Sequence, residues 1–314
     1  MALPVALALV SCNSQLSEET SAEISFEAVS CAETKGFVKG SDLSEESGTP
    51  RNIIVSAYDA ARQQTFFQNS TFKLDNGSWK NFVSGIHQPV FWDSNSRLDF
   101  MAYSVGSSHP TAAWDIYNPS YRLILQIGSD SLDDDILYAS VKNCTRASAG
   151  ADGSVSLDFK HAQAWIDIEV FSEDADIYST GITFPDVQAS GNLIITDNLG
   201  YPEASWDFNS YPRVSHRITP ASGPLPVPGL DSSTPVKYSI LLPQQQRCEF
   251  NIHFTAGTGT EEHSCTYSLD TDKFWYSGKH YTYKINVTTR DMVPAGPSAS
   301  RSRRVSAIVE EQDF

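Results

Sequence analysis

Apolar and polar residues alternate along residues 155–170, which read V-S-L-D-F-K-H-A-Q-A-W-I-D-I-E-V. A period of two is typical of a strand with one buried face. The phase slips by one residue at Lys160-His161, and one extra residue in a strand ladder has this effect, so the pattern predicts a bulge or a bend there. We interpret the stretch as a long bent ribbon that joins two β-rich halves of the chain.

Shorter runs on both sides of the ribbon show strand-like patterns too. The predicted strands include residues 24–28, 52–59, 98–105, 121–127, 136–141, 236–242, 248–254, 263–269 and 279–287. An Asn-Gly pair at Asn76-Gly77 lies between apolar runs, which is typical of a tight hairpin turn. No stretch keeps a helical period over three turns, so the predicted class is all-β, and 314 residues suffice for two ordinary domains.

The net charge of the chain argues against one class of binding partner. A formal net charge of −16 would repel phosphates rather than neutralise them, which argues against binding to nucleic acid. An acidic balance fits a soluble, exported surface protein.

The first residues indicate the compartment. Residues 1–10 are almost wholly apolar, and Leu9-Val10-Ser11-Cys12 resembles a bacterial lipobox, in which small residues precede a Cys that is lipidated and becomes the mature N-terminus. The apolar run is too short to span a bilayer but suits a signal peptide, although no Lys or Arg precedes it. We therefore predict a lipid anchor at Cys12.

Two later cysteines are candidates for a disulfide. Cys248 and Cys265 flank a predicted hairpin, and an exported protein can form a bridge across it. Buried free thiols are the alternative that the sequence leaves open. The remaining cysteines, Cys31 and Cys144, complete no C-x-x-C pair and no Cys/His cluster at zinc spacing.

Candidate catalytic and metal-binding chemistry is sparse. Asp130, Asp133, Asp134 and Asp135 offer oxygens for Ca²⁺, but the run lacks the Gly and the distal Glu of an EF-hand loop, so a solvated loop is the preferred interpretation. The sequence contains no H-E-x-x-H and no G-x-S-x-G motif. We predict no catalytic residue, no metal site and no cofactor.

The tryptophans raise an alternative function. Trp79, Trp114, Trp165, Trp206 and Trp275 could line a platform for glycans, although Trp in a β-rich chain more often packs in a core or an interface. The alternative prediction is a monomeric surface lipoprotein that binds glycans.

Five short motifs, taken in chain order, resemble the fimbrillin family, the fimbrillin-like or Mfa-like subunits of type V pili of Gram-negative bacteria. They are Ile24-Ser25-Phe26 with Thr34-Lys35; Phe91-Trp92 before Leu98-Asp99-Phe100-Met101-Ala102-Tyr103; Asp135-Ile136-Leu137-Tyr138-Ala139; Leu157-Asp158-Phe159-Lys160-His161-Ala162; and Gly278-Lys279-His280-Tyr281-Thr282-Tyr283. Together they cover nearly the whole chain.

The resemblance implies two β-sandwich domains of transthyretin-like topology and export as a lipoprotein. It also implies removal of the first strand by proteolysis after a basic residue. Lys35, Lys39 and Arg51 are the candidates, and Lys35 is favoured by its place in T-K-G. The opened groove would then be filled by the C-terminal strand of a neighbouring subunit, which is a form of β-augmentation.

The corresponding donor strand in this chain lies at its C-terminal end. Val305, Ala307 and Val309 share one parity, and Phe314 stands where family members carry a Trp. Residues 292–304 intervene as a linker, which departs from the family pattern and leaves the exact donor open.

These observations predict an organisation in five parts. The parts are a signal peptide with the lipobox Cys (1–12), a tether with the removable strand and the processing loop (13–51), an N-terminal β-sandwich (52–153), a C-terminal β-sandwich (154–290), and a linker with the donor strand (291–314). The predicted function is a non-enzymatic subunit of a cell-surface pilus that supports adhesion. Its predicted partners are other pilus subunits and, through the lipid anchor, the outer membrane.

Overall fold

The computed structural model describes residues 22–29, 51–104, 111–117, 120–128, 134–174, 176–198, 201–257, 261–269, 272–288, 290, 302–304 and 309–313. These residues form strands joined by turns and loops, which confirms the all-β class. In chain order the strands are β1 (Ser25–Val29), β2 (Ile53–Asp59), β3 (Gln64–Asp75), β4 (Ser78–Val83), β5 (Ile86–His87), β6 (Leu98–Ser104), β7 (Thr111–Tyr117), β8 (Ser120–Ile127), β9 (Leu137–Cys144), β10 (Ser154–Asp158), β11 (Lys160–His161), β12 (Gln163–Phe171), β13 (Ile177–Val187), β14 (Gly191–Asn198), β15 (Tyr201–Asp207), β16 (Val214–Ile218), β17 (Leu225–Pro226), β18 (Val236–Pro243), β19 (Gln245–Gln246), β20 (Phe250–Ala256), β21 (His263–Ser268), β22 (Phe274–Trp275), β23 (Lys279–Asn286), β24 (Ser302–Arg304) and β25 (Val309–Asp313).

The first half is built on one large sheet with the strand order β10-β1-β4-β3-β2-β6-β9-β11, to which β5 adds at β4. Its inward side chains form a single hydrophobic core: Ile24, Phe26, Ile53, Val55, Ala57, Phe72, Trp79, Trp92, Leu98, Phe100, Ala102, Leu137, Ala139, Cys144, Val155, Leu157 and Phe159. Strands near both ends of the sheet, β10 and β9, contribute to this core. The sheet therefore folds over on itself as a sandwich whose two layers enclose these side chains.

The second half is a sandwich of two separate sheets. One has the order β18-β12-β23-β25, and the other has the order β16-β13-β20-β21-β24 with β17 added at β13. Alternate residues of β12 and β23, such as Ile166, Ile168 and Tyr283, face alternate residues of β13 and β20, such as Phe184 and Phe250, in one core. The side chains that face this core follow the period of two seen in the sequence. The expectation of a single buried face is wrong for β12, because Gln163, Trp165 and Asp167 on its other face are buried as well.

The ribbon of residues 155–170 joins the two cores, as predicted. Val155, Leu157 and Phe159 belong to the core of the first half, whereas Ile166 and Ile168 belong to that of the second. The strand is interrupted where the phase slips, because β10 ends at Asp158, β11 covers only Lys160–His161 and β12 begins at Gln163. One continuous segment thus supplies a strand to each half.

The bend of this ribbon is a meeting point for three parts of the chain. The Ala162 amide donates to the Ile136 carbonyl at 2.8 Å in the first half. The Ala162 carbonyl accepts hydrogen bonds from Trp206 Nε1 at 3.0 Å and from Ser277 Oγ at 2.6 Å, which come from the second half of the sequence. The backbone of the bend is therefore held from both sides.

A four-stranded sheet that the sequence analysis did not anticipate links the halves. Its order is β15-β14-β8-β7, so the β7–β8 hairpin from the first half pairs with the β14–β15 hairpin from the second. Leu123, Leu125, Leu193 and Ile195 of this sheet pack against Tyr103 and other side chains on the outer face of the first-half sheet. Strand β6 is consequently buried on both faces. The predicted boundary near residue 153 stays a prediction.

Two local predictions have opposite outcomes. Asn76 and Gly77 both have positive φ, 51° and 79°, and form the tight turn between β3 and β4 that was predicted. The candidate Cys248–Cys265 disulfide is not formed, since both residues are thiols buried in the second core. The register explains this outcome: Cys265 lies opposite Ile252, four residues along the chain from Cys248. Burial raises the pKa of the Cys248 thiol to about 12.

Among the described residues, no helix is both long enough and apolar enough to cross a membrane.

Candidate functional site

The first strand, β1, occupies an interior position in the first-half sheet although it comes from the start of the chain. It pairs in parallel with β10 over five residues, from Ser25 opposite Ser154 to Val29 opposite Asp158. On its other side it pairs with β4 in the antiparallel direction at a single position, Phe26 opposite Trp79. We call the space that β1 fills between β10 and β4 the first-strand groove.

Two side chains anchor the strand in this groove. Ile24 and Phe26 have no exposed surface at all. The Phe26 ring meets Phe72 edge-on, with centroids 4.9 Å apart, and Phe100 edge-on at 5.2 Å. Burying each of these side chains contributes about 1.5–3 kcal/mol, and each edge-on aromatic pair adds about 0.5–1.5 kcal/mol. The groove is therefore a deep apolar site and not a flat sheet edge.

The residues just before β1 are bound at the mouth of the groove by the segment that follows β5. The Ile24 amide donates to the Val90 carbonyl at 2.7 Å, and the Trp92 amide donates to the Ala22 carbonyl at 3.0 Å. Glu23 forms an isolated antiparallel bridge with Phe91, and its carboxylate lies 2.6 Å from His87 Nε2. Residues 22–24 are thus held by backbone pairing with residues 90–92.

The backbone of residues 22 and 23 passes very close to Gly153. Its φ is +94°, and a Cβ built there would lie 2.3 Å from the Glu23 carbonyl oxygen and 3.1 Å from the Ala22 Cβ. Its own carbonyl accepts the Trp92 indole N–H at 2.9 Å. Both the conformation and the contact therefore require glycine at this position. The turn-rich stretch before β10 was visible in the sequence, but its contact with residues 22–23 was not.

A cavity of about 630 Å³ lies next to the groove. It opens where β9 and β10 separate: β9 pairs with β11 at Tyr138 and Leu137, and among the described residues no ladder continues between β9 and β10. Its lining includes Glu27 of β1, Lys142 and Cys144. Burial, assisted by the charge of Asp99, raises the pKa of the Cys144 thiol to about 11, so this thiol is protonated at neutral pH.

Arg51 lies at the other end of the segment that connects β1 to β2. Its Nη2 donates to Asp134 Oδ1 at 2.9 Å and to the Asp135 carbonyl at 2.8 Å, and only 13% of the side chain is exposed. Asp135 Oδ2 in turn lies 2.8 Å from Nδ1 of the buried His161. This polar chain connects the start of β2 to the bend of the ribbon.

The C-terminal segment is docked on the second half. Strand β24 pairs in parallel with β21, from Thr266 opposite Ser302 to Ser268 opposite Arg304. Strand β25 pairs with β23 in the antiparallel direction, from Tyr283 opposite Val309 to Lys279 opposite Asp313. Both strands extend the edges of sheets whose inner strands come from residues 163–286.

The described residues contain only part of the predicted site. Cys12, Lys35, Lys39, Val305, Ala307 and Phe314 lie outside them, as do Cys31, Asp130 and Asp133. Of the predicted donor residues, Val309 is described, as the first residue of β25. Of the acidic run, Asp134 is paired with Arg51 and Asp135 with His161. Within the described residues, no group of three or more His, Cys, Asp or Glu side chains could hold a metal ion.

Three of the five tryptophans in the alternative prediction are buried and cannot line an exposed glycan platform. Trp79, Trp165 and Trp275 are buried, and Trp206 packs half-buried against the core between the linking sheet and the first-half sheet. Trp114 lies in β7. Phe274 and Tyr276 form an exposed aromatic pair, with ring centroids 6.1 Å apart.

Sequence reasoning found β1 as a strand but missed the residues that receive it. The pairing of β1 with β10 joins residues about 130 positions apart, and a period-two pattern carries no information about which strand is the neighbour. The aromatic residues Phe72, Trp79 and Phe100 were visible only as parts of separate strands. One indication of Gly153 was available in the sequence, because it is a glycine in the turn-rich stretch that precedes the ribbon.

Comparison with known proteins completes the description of the site. The sequence profile of the fimbrillin-like family matches residues 45–300. No curated protein matches the sequence. A candidate cell adhesion protein from Bacteroides ovatus has a similar structure, with 15% identity, a TM-score of 0.57, and coverage of 94% of this chain and 98% of that one. Another, from Bacteroides uniformis, has 16% identity, a TM-score of 0.55, and coverage of 93% and 97%. At these identities the likeness establishes a shared fold.

Proposed function

The chain belongs to the fimbrillin-like family, and from this premise we propose that it is a structural or accessory subunit of a bacterial cell-surface pilus that supports adhesion. In this proposal the chain is exported as a lipoprotein, is held at the outer membrane by Cys12, and is assembled with other pilus subunits by exchange of its first strand. No enzymatic step by the chain itself is part of the proposal.

The observation that carries the proposal is the placement of β1. A strand from the very start of the described chain fills an apolar groove in the middle of a sheet, with Ile24 and Phe26 fully buried. Removing it would leave the edges of β10 and β4 unpaired and two large apolar sites empty. Such an edge is satisfied by a donated strand whose alternate side chains fill the same sites.

The contacts of Arg51 argue against processing at that residue. A protease needs several residues around the scissile bond in an extended, accessible form, but Arg51 is bound to Asp134 and the next residues lead directly into β2, where Ile53 is fully buried. Cleavage after Arg51 would require unfolding the start of β2. We therefore place the cleavage after Lys35 or Lys39.

The predicted anchor has a geometry that suits this pathway. Nine residues, 13–21, separate Cys12 from the start of the described chain. Fully extended, they span about 30 Å. Cleavage after Lys35 or Lys39 would separate the lipidated segment and β1 from the rest of the chain in one event, so release from the membrane and opening of the groove would be coupled.

Limited trypsin digestion of residues 13–314, followed by strand exchange, tests the proposal. We expect the first cut to fall within residues 30–50, and the nicked chain to take up a fluorescent peptide of residues 22–29 that the intact chain excludes. A double substitution, Lys35→Gln with Lys39→Gln, should abolish the early cut and the uptake together, whereas Arg51→Gln serves as the matched control and should retain both. A nicked chain that keeps its strand and takes up no peptide would overturn the proposal.

A further inference from the structure

We propose that the strand that replaces β1 comes from a different subunit, not from residues 305–314 of a second copy of this chain. The incoming strand carries a large aliphatic residue and an aromatic residue two positions apart. This inference rests on the proposed function and specifies the partner at the first-strand groove.

The shape of the groove sets the requirement. Side chains at alternate positions of a strand point to the same face, so an incoming strand presents residues i and i+2 to the sites of Ile24 and Phe26. Both sites are closed to solvent. The site of Phe26 is bounded edge-on by two rings, those of Phe72 and Phe100, at centroid distances of 4.9 and 5.2 Å. Such a site is filled by a flat aromatic ring and left largely empty by a small side chain.

Residues 305–307 of this chain have the alternating apolar pattern that the groove requires, but their apolar side chains are smaller than those of Ile24 and Phe26. Val305-Ser306-Ala307 aligns with Ile24-Ser25-Phe26 when it runs in the same direction, and it places Ala where the groove holds Phe. Large-to-small replacements of this kind in a packed core are among the most costly, because the cavity collapses only in part.

Alignments that use the later residues of the segment bring polar side chains towards the groove. Phe314 is its only aromatic residue, and its neighbour two positions earlier is Gln312, which would enter an adjacent apolar site with its amide unpaired. Residues 309–313 read V-E-E-Q-D, so either parity brings a carboxylate towards the groove. In the structure, this stretch pairs with β23 at the edge of the second half.

Competition binding on the nicked full chain tests the inference. The probe is a fluorescent peptide of residues 22–29, and the competitors are unlabelled peptides. The peptide of residues 304–314 should compete at least about 100-fold more weakly than unlabelled 22–29, as expected for loss of a buried aromatic ring. The same peptide with Val305→Ile and Ala307→Phe, which reproduces I-S-F, should recover most of that loss.

Two variants of the 22–29 peptide serve as controls. Phe26→Ala should weaken competition as much as the native C-terminal segment does, whereas Glu27→Ala, at an exposed position, should leave it unchanged. The inference is overturned if the peptide of residues 304–314 competes within about 10-fold of the peptide of residues 22–29. It is also overturned if the nicked chain alone forms multimers that deletion of residues 302–314 abolishes. If the labelled peptide of residues 22–29 itself is never taken up, the proposed function fails and this inference fails with it.

Discussion

The two halves of the molecule use their terminal strands in opposite ways. In the first half, β1 comes from the chain start, lies between β10 and β4 and places Ile24 and Phe26 in the middle of the core. In the second half, β24 and β25 come from the chain end and only extend the edges of two sheets. Among the residues whose burial is described, the core of that half runs from Ala164 to Val287.

This difference indicates which half would lose core side chains if its terminal strand left. A core that contains side chains from a distant segment is incomplete without it, whereas a core formed within one continuous stretch keeps its contacts when an edge strand leaves. The first half is therefore the half in which loss of a strand creates a binding site. In the second half, loss of β24 or β25 uncovers the edge of β21 or of β23.

The largest expected effect is that of Phe26→Ala. Removing this ring from a closed site should lower the free energy of unfolding by about 3–5 kcal/mol. Urea denaturation measures the total, and hydrogen exchange should show faster exchange in β2 and β6 with little change in β12 and β20. The matched control is Glu27→Ala on the same strand, whose effect should stay within about 0.5 kcal/mol. Equal loss of protection in both halves would contradict the comparison.

The second prediction concerns a polar cluster internal to the second half. Burial by itself would raise the pKa of Asp167, but hydrogen bonds from His280, Lys237 and Ser239 outweigh it and hold the pKa below its usual value. His280 also stacks on Trp165, with ring centroids 3.8 Å apart. The cluster ties together β12, β18 and β23, which are consecutive neighbours in one sheet.

Asp167→Asn should therefore destabilise the second half by about 1.5–3 kcal/mol at neutral pH, because hydrogen bonds to a charged group are lost. Since the folded pKa is lowered, the stabilising contribution is fully present above the unfolded value of about 3.9 and is lost as the pH falls through the folded pKa. Urea denaturation at several pH values should show a difference between wild type and variant that is constant from neutral pH down to about pH 5 and shrinks below about pH 3.9. Glu249→Gln, at an exposed carboxylate, is the control; a difference that stays constant with pH would refute the assignment.

The smallest effect is expected from deletion of residues 302–314. The hydrogen bonds of an edge strand contribute about 0.5–1.5 kcal/mol each, but ordering each residue costs about 1–2 kcal/mol, so the net change in unfolding free energy should stay within about 1 kcal/mol. Differential scanning calorimetry of the shortened and full chains measures it. A loss as large as that of Phe26→Ala would show that the second half also depends on its terminal strand.

Much of the local structure could be predicted from the sequence. The phase slip within residues 155–170 and the Asn76-Gly77 turn are properties of short segments, and the structure reproduces both. It also reproduces the period of two among the side chains that face the cores, although β12 is buried on its other face too. The motifs that resemble fimbrillins also lie within single strands or their ends. These features are readable because burial on one face and a positive φ leave their mark on neighbouring residues.

The candidate site was predicted only in part. The first strand was recognised, but its groove unites β10, β4 and the rings of Phe72 and Phe100, which come from four separate stretches of sequence. The disulfide between Cys248 and Cys265 was a reasonable expectation from their spacing, yet the register places Ile252 opposite Cys265. A shift of a few residues in register is invisible to spacing alone.

By itself, the sequence determined that this chain is a β-protein with a strand near its N-terminal end and a ribbon that serves two cores. Only the tertiary structure decided that β1 lies between β10 and β4, that β8 pairs with β14 across the halves, and that Arg51 is bound to Asp134. The physical reason is that alternation reports how one segment divides its faces between core and solvent. The partner of each face and edge is chosen by competition among all segments for the same apolar surface and the same backbone hydrogen bonds.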